Sequence, residues 1–73
     1  MSKAHYRVVS NEPGGPNFLA LDLESIIEYI AEEYGELGIR DNEIEIHLVD
    51  SDGFVLKIYD SGEVIEKIRE VRS

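Results

Sequence analysis

Residues 22–35, DLESIIEYIAEEYG, constrain the fold most, because their apolar members recur at the spacing of one helix face. Asp22 precedes this pattern as a predicted N-cap, and Gly35 follows it and can end a helix in the left-handed conformation. A helix with one apolar stripe must bury that stripe against another element. The residues predicted to be buried are Leu23, Ile26, Ile27, Ile30 and Tyr34.

A β-hairpin is predicted in the second half of the chain. Residues 43–49, EIEIHLV, alternate strictly, and residues 54–59, FVLKIY, are typical of a second strand. We expect a three-residue loop, residues 51–53, with Gly53 in the left-handed position of a bulge. Because this register keeps each face consistent, it predicts that Leu48 pairs with Leu56, Ile46 with Ile58, His47 with Lys57 and Glu45 with Tyr59.

Two more strands and a second helix complete a small α+β domain. Residues 4–10 and 18–21 are predicted as strands, and residues 60–71 as a helix capped by Asp60. The predicted order is ββαββα, or βαββα if residues 18–21 only lead into the first helix. Three or four strands form one antiparallel or mixed sheet, with two helices packed on one face.

The whole chain, residues 1–73, is predicted to be a single domain with residues 1–3 as a tail. Shifting the sequence by 38 residues places Asp22 on Asp60 and Ile30 on Ile68. This alignment suggests a weak internal ββα repeat, residues 4–36 and 43–72, although two amphipathic helices can resemble each other by chance.

Residues 10–18, SNEPGGPNF, raise the question of a phosphate-binding loop. The glycines match neither GxGxxG nor GxxxxGK[ST], and Pro13 and Pro16 lack the N–H groups that such a loop donates. A predicted strand also separates them from the following helix. We therefore interpret residues 11–17 as a stiff connection between two strands.

The charge of the chain is concentrated in one region. The net charge is −9, from 7 bases and 16 acids, and residues 22–52 hold eleven acids against one base, Arg40. Such a surface repels phosphates, which argues against direct binding of nucleic acid or of an anionic membrane. The chain has no cysteine and no apolar run longer than four residues, so we expect no disulfide framework, no membrane span and a cytoplasmic location.

No motif in the sequence predicts catalysis, a metal site or a cofactor. His5 and His47 lie in separate predicted strands without ligand spacing. DSDG resembles part of a calcium loop, but with Gly53 at position six the first and last positions are Leu48 and Tyr59, which offer no carboxylate. No nucleophile motif accompanies the acids. We therefore expect a protein that is not an enzyme.

The predicted first helix carries glutamates at i, i+4 and i+8 without any base. They either solvate an acidic protein or form a surface for a basic partner, with Tyr29 as an aromatic anchor. The leading hypothesis is an interaction module for a basic, nucleic-acid-binding protein, which includes inhibitors that imitate nucleic acid. The predicted partner-binding residues are Glu24, Glu28, Tyr29, Glu32, Glu33 and Glu36.

The predicted hairpin also leaves one face of the sheet away from the helices. This face is either an ordinary solvated surface or a contact surface. The alternative hypothesis is a homodimeric structural or accessory protein that buries this face or an edge strand. The residues of the predicted open face are Glu45, His47, Val49, Val55, Lys57 and Tyr59.

Overall fold

The computed structural model describes residues 4–11 and 18–72, with the backbone alone at Phe18. They form four strands and three helices of a small α+β fold, which confirms the predicted class. The predicted tail and residues 12–17 of the predicted connection lie outside the described residues. The elements are β1 (His5–Val9), β2 (Phe18–Ala20), α1 (Leu23–Glu33), α2 (Gly35–Asp41), β3 (Glu45–Val49), β4 (Val55–Tyr59) and α3 (Ser61–Arg72).

All four strands belong to one antiparallel sheet in the order β2-β1-β3-β4. Residues 18–20 form a strand, since β2 pairs with β1 with Leu19 opposite Arg7. β1 and β3 lie side by side in the centre, with Arg7 opposite His47. Each hairpin therefore contributes one central strand and one edge strand.

The helices α1 and α3 begin at the predicted caps. The Asp22 carboxylate accepts hydrogen bonds from the N–H of Ser25 at 3.1 Å and from its hydroxyl at 2.6 Å. The Asp60 carboxylate accepts one from the N–H of Glu63 at 2.9 Å. These bonds satisfy N–H groups that the first turn of a helix leaves without an intrahelical partner.

The core lies between the helices and one face of the sheet. The apolar stripes of α1 and α3 pack against Val8 of β1 and Ile46 of β3. Burying an isoleucine of this kind contributes about 1.5–3 kcal/mol. The largest fully buried side chains are Val8, Ile26, Ile27, Ile30, Ile39, Ile44, Ile46, Val64 and Ile68.

A third helix, α2, corrects the prediction of two helices and the grouping of Glu36 with the acids of the first one. α1 ends at Glu33, and Gly35 adopts a φ of +67°, the left-handed conformation predicted for it. The chain then forms α2 directly after α1 instead of continuing into β3. The segment GELGIRD is too short for a periodic pattern, and it is anchored by the fully buried Ile39.

The loop between β3 and β4 is the predicted three-residue loop. Gly53 has a φ of +92°. The N–H of Asp50 donates to the carbonyl of Phe54 at 3.0 Å, and the N–H of Gly53 donates to the carbonyl of Asp50 at 3.0 Å. The Asp50 carboxylate also accepts from the N–H groups of Asp52 and Phe54, which fixes the turn.

Beyond this loop the predicted register is wrong, because β4 contains a β-bulge. Val49 lies opposite Val55, but Leu48 lies opposite Lys57, so that Leu56 is an extra residue without a partner. Side chains alternate along a strand, and one extra residue therefore turns the rest of the strand over.

The bulge replaces the predicted pairs of the hairpin. His47 lies opposite Ile58, and Ile46 lies opposite Tyr59. Tyr59 is thereby buried in the core, whereas Ile58 is half exposed on the other face. The predicted register has Leu56 and Ile58 facing inward, but the large amphipathic ring of Tyr59 occupies the core instead.

Candidate interaction surfaces

The acidic surface consists of Glu24, Glu28, Glu32 and Glu33, which are all exposed on α1. The helix contains no basic residue. None of the four carboxylates forms an ion pair with any residue in 4–11 or 18–72. The structure thus places four of the five predicted glutamates, all except Glu36, on a single helix that contains no base.

Tyr29 belongs to the same helix and is half exposed. It follows Glu28 directly and lies within one turn of Glu32 and Glu33, so an aromatic ring accompanies the acids as predicted. An exposed tyrosine adds contact area at a low cost in side-chain entropy.

A shallow groove separates α1 from α3. Its volume is about 160 Å³, and Glu28 and Glu32 line it from α1 while Arg72 lines it from α3. Ile68 lies between them at its base. The acidic surface therefore ends at this groove, which has a basic residue on its α3 side.

Glu36 does not belong to the acidic surface, because the break at Gly35 places it in α2. Its carboxylate accepts a hydrogen bond from the Arg69 guanidinium of α3 at 2.8 Å. This bond, more than any other contact, holds the pKa of Glu36 below its ordinary value and raises that of Arg69. Glu36 thus links α2 to α3 and is neutralised within the chain.

The lysines of the second half are directed to one aromatic ring. The ammonium group of Lys57 lies 4.7 Å from the centroid of the Tyr59 ring, and that of Lys67 lies 5.2 Å from it. Both distances are in the range of cation–π attraction. Lys57 lies in β4, away from the acidic surface, whereas Lys67 of α3 also lines a groove with Glu24.

The open face of the sheet differs from the predicted one in its β4 residues. Lys57 and Tyr59 lie opposite Leu48 and Ile46, on the side of the helices, so their predicted place on the open face is wrong. Residues opposite one another share a face. The row across the open face is Leu19, Arg7, His47 and Ile58.

The predicted β3 residues of that face are placed as expected. Glu45, His47 and Val49 alternate with the core residue Ile46. The His47 imidazole Nε2 lies 2.9 Å from a carboxylate oxygen of Glu45. Val49 is buried and lies opposite Val55, whose side chain is half exposed. The face is thus polar at its centre and apolar towards β4.

Sequence reasoning missed the apolar edge of the sheet. Leu56 and Ile58 each leave at least half of their surface exposed, and so does Phe54 just before β4. The run FVLKI was visible in the sequence, but the assumed register placed its aliphatic residues in the core. Only a bulge, which has no clear sequence signal here, exposes them.

Within the described part of the chain, no three acidic or histidine side chains come close enough together to hold a metal ion. None of its helices has the length and apolar character needed to cross a bilayer. Comparison with protein-family models, curated proteins and solved structures found no match to this chain. The surfaces themselves must therefore carry any functional argument.

Proposed function

We propose that the chain is a non-enzymatic interaction module of the cytoplasm whose acidic surface binds a basic region of a partner protein. The observation that carries this proposal is the set of four exposed glutamates on α1 without an ion pair to any described residue. Like charges at i, i+4 destabilise a helix by roughly 0.2–0.5 kcal/mol per pair. This repulsion opposes formation of the helix, whereas a basic partner would be attracted by the same charges.

The chain's own cations support this proposal, because several of them have other contacts. Lys57 and Lys67 lie over the Tyr59 ring, and Arg69 binds Glu36. None of these three contacts is with the acidic surface, whose carboxylates form no ion pair with the described residues. Association with a cationic surface would be fast and would weaken as salt is added.

The spacing of the glutamates favours a partner that ordinarily binds nucleic acid. Glu24 and Glu33 are nine residues apart, which corresponds to about 13.5 Å along a helix axis. The four charges are thus about 4.5 Å apart on average along the axis, compared with about 3.4 Å per phosphate on one strand of DNA. A groove whose cations are arranged for phosphates could therefore accept this helix.

The test is a charge reversal of the acidic surface. We expect the variant Glu24→Lys, Glu28→Lys, Glu32→Lys to lose capture of basic proteins from the source cell, while the wild-type chain retains it at low salt. The lysines repeat the like-charge spacing of the glutamates, so helix repulsion stays about equal. Circular dichroism should show that the variant is folded.

A matched control separates the acidic surface from net charge. The variant Asp41→Lys, Asp52→Lys, Glu66→Lys changes three exposed acids outside α1 and raises the net charge by the same six units, from −9 to −3. We expect it to capture the same proteins as the wild type. Equal loss in both variants would show a nonspecific charge effect, and equal capture by both would refute the proposal.

Competition tests the class of partner. If the captured protein uses a nucleic-acid groove, duplex DNA added in excess should release it from the wild-type chain. A partner that stays bound at saturating DNA would retain the acidic-surface proposal but exclude imitation of nucleic acid.

A further inference from the structure

The edge strand β4 has an unusual surface for the rim of a sheet. Val55, Leu56 and Ile58 each leave at least half of their side-chain surface exposed, and Phe54 exposes 69%. As the outermost strand, β4 also directs part of its backbone N–H and C=O groups away from β3. Proteins commonly protect such edges with charged side chains, but the one charged residue here, Lys57, lies on the helix side over Tyr59.

We propose that β4 is the interface of a homodimer, in which two copies of this strand pair antiparallel about a two-fold axis through Ile58. The pairing would join two four-stranded sheets into one of eight strands. It is independent of the acidic surface, since α1 lies in the helix layer and carries none of the residues involved.

The charge distribution identifies a second copy as the occupant. Two copies that each carry a net charge of −9 repel one another over most of their surface. Residues 54–59 contain one lysine and no acid. Two copies can therefore approach through β4 with less repulsion than through the acid-rich region of residues 22–52.

The bulge selects the register. Pairing of β4 with β3 is regular only over Lys57, Ile58 and Tyr59, because Leu56 is the extra residue. An axis through Ile58 lies in the middle of this regular stretch, and it sets each Lys57 opposite the partner's Tyr59. An axis through Lys57 would instead oppose two like charges, which destabilises a strand pair.

The other edge of the sheet fits a second copy less well. β2 has three residues, compared with five in β4. Pairing β2 with the β4 of another copy would also be a head-to-tail contact, which generates open chains instead of a closed dimer. The β4 pair is self-complementary and closes.

The size of this contact sets the expected strength. A standard interface covers about 800 Å² per partner, roughly one sixth of the chain's accessible surface of 4886 Å². Pairing of the two strands over Lys57, Ile58 and Tyr59 supplies less than that. We therefore expect a dimer that dissociates on dilution through the micromolar range.

Light scattering after gel filtration tests the dimer. The wild-type chain should be a dimer at about 100 µM and approach a monomer at about 1 µM. Ile58→Lys should remain monomeric at both concentrations, and Leu37→Lys, the same change at an exposed residue of α2, should dimerise like the wild type. A wild-type monomer at about 100 µM, or a dimeric Ile58→Lys, would overturn the proposal.

Single cysteines test the register, because the chain has none of its own. Two copies of Ile58→Cys would meet at the axis, with Cα atoms about 4.5–5.5 Å apart, and should form a disulfide under mild oxidation. Two copies of Phe54→Cys would be about 27 Å apart and should not. Cross-linking of Leu19→Cys without Ile58→Cys would indicate stacked open faces and would refute pairing of β4.

The acidic-surface variant keeps the two proposals distinguishable. Glu24→Lys, Glu28→Lys, Glu32→Lys should still dimerise like the wild type, whatever its effect on partner capture. Loss of the dimer in this folded variant would contradict the β4 interface, whereas loss of capture alone would leave it intact.

Discussion

Helices α1 and α3 occupy corresponding places in the two halves of the chain, each after a hairpin and each beginning at an aspartate cap. Both bury an isoleucine stripe against the same face of the sheet, with Ile26, Ile27 and Ile30 in α1 and Ile65 and Ile68 in α3. On the side of the core the two helices are therefore nearly equivalent.

Their exposed sides differ in charge. α1 has four acids and no base, whereas α3 has three acids and three bases, two of which, Arg69 and Arg72, lie in its last turn. Cations at a helix C-terminus favour the helix dipole, and mixed charges avoid repulsion. α3 thus follows the pattern that stabilises a helix, and α1 departs from it. Since the fold demands the same core from both, the acids of α1 are the feature that folding does not explain.

The prediction with the largest expected effect asks whether α1 and α3 contribute equally to the stability of the core. Ile30→Ala and Ile68→Ala each remove a side chain that is at most 1% exposed, and each should lower the free energy of unfolding by about 2–5 kcal/mol. Urea denaturation would measure both. Leu37→Ala, at a residue that is 75% exposed, should change it by less than about 0.5 kcal/mol. If the free energy of unfolding fell only slightly in Ile30→Ala but strongly in Ile68→Ala, α1 would contribute less to the core than α3 does.

Most of the helix layer could be predicted because local patterns determine it. The isoleucines lie within the helices and the two aspartate caps directly precede them, and the structure has both. Four acids of α1 follow from the same periodicity. The seven residues of α2 could not be predicted, since a helix of two turns gives no period and depends on burial of Ile39 by tertiary contacts. Glu36 was therefore assigned to the wrong helix.

The sheet was predictable up to the bulge and not beyond it. Gly53 and the three-residue loop were predicted from turn chemistry. The extra residue, Leu56, depends on which side chain fits the core best, and Tyr59 rather than Ile58 occupies that place. Core residues that are distant in the sequence decide between these two neighbours, so no local signal reveals the outcome. Because Tyr59 occupies the core, Ile58 is left exposed at the β4 edge.

A second prediction compares two glycines, Gly35 at the break between α1 and α2 and Gly62 in the first turn of α3. Gly35 has a φ of +67°, and an added Cβ would meet no atom within 4 Å, so Gly35→Ala should cost about 1–2 kcal/mol from backbone strain alone. Gly62 lies in the first turn of α3 without a positive φ, and an added Cβ would have one contact, at 3.4 Å from the Asp60 carboxylate. Gly62→Ala should therefore stabilise the chain, by up to about 1 kcal/mol. Thermal unfolding of the two variants should show midpoint shifts of opposite sign. Shifts of the same sign would contradict the assignment of Gly35 as the break between α1 and α2.

The smallest expected effect concerns pH and the link between α2 and α3. The hydrogen bond from Arg69 lowers the pKa of Glu36, and hydrogen bonds from Ser25 lower that of Asp22. A carboxylate whose pKa is lower in the folded state adds stability above its ordinary pKa, and this contribution is lost as the pH falls through the folded value. For Glu36 the ordinary value is 4.5, so its contribution is complete above that pH and declines below it.

The matched variant for this prediction is Arg69→Gln, which removes the guanidinium and leaves Glu36 and Asp22 in place. Its melting temperature should fall less steeply than that of the wild type between about pH 5 and pH 3, because the pKa of Glu36 would return towards its ordinary value. The part of the fall in melting temperature with decreasing pH that is due to Asp22 should be the same in the wild type and in Arg69→Gln. Because the pair is exposed, 0.5 M salt should reduce the difference between them. Equal slopes at low salt would show that Arg69 does not hold α2 against α3, and Glu36 would then rejoin the uncompensated acids of α1.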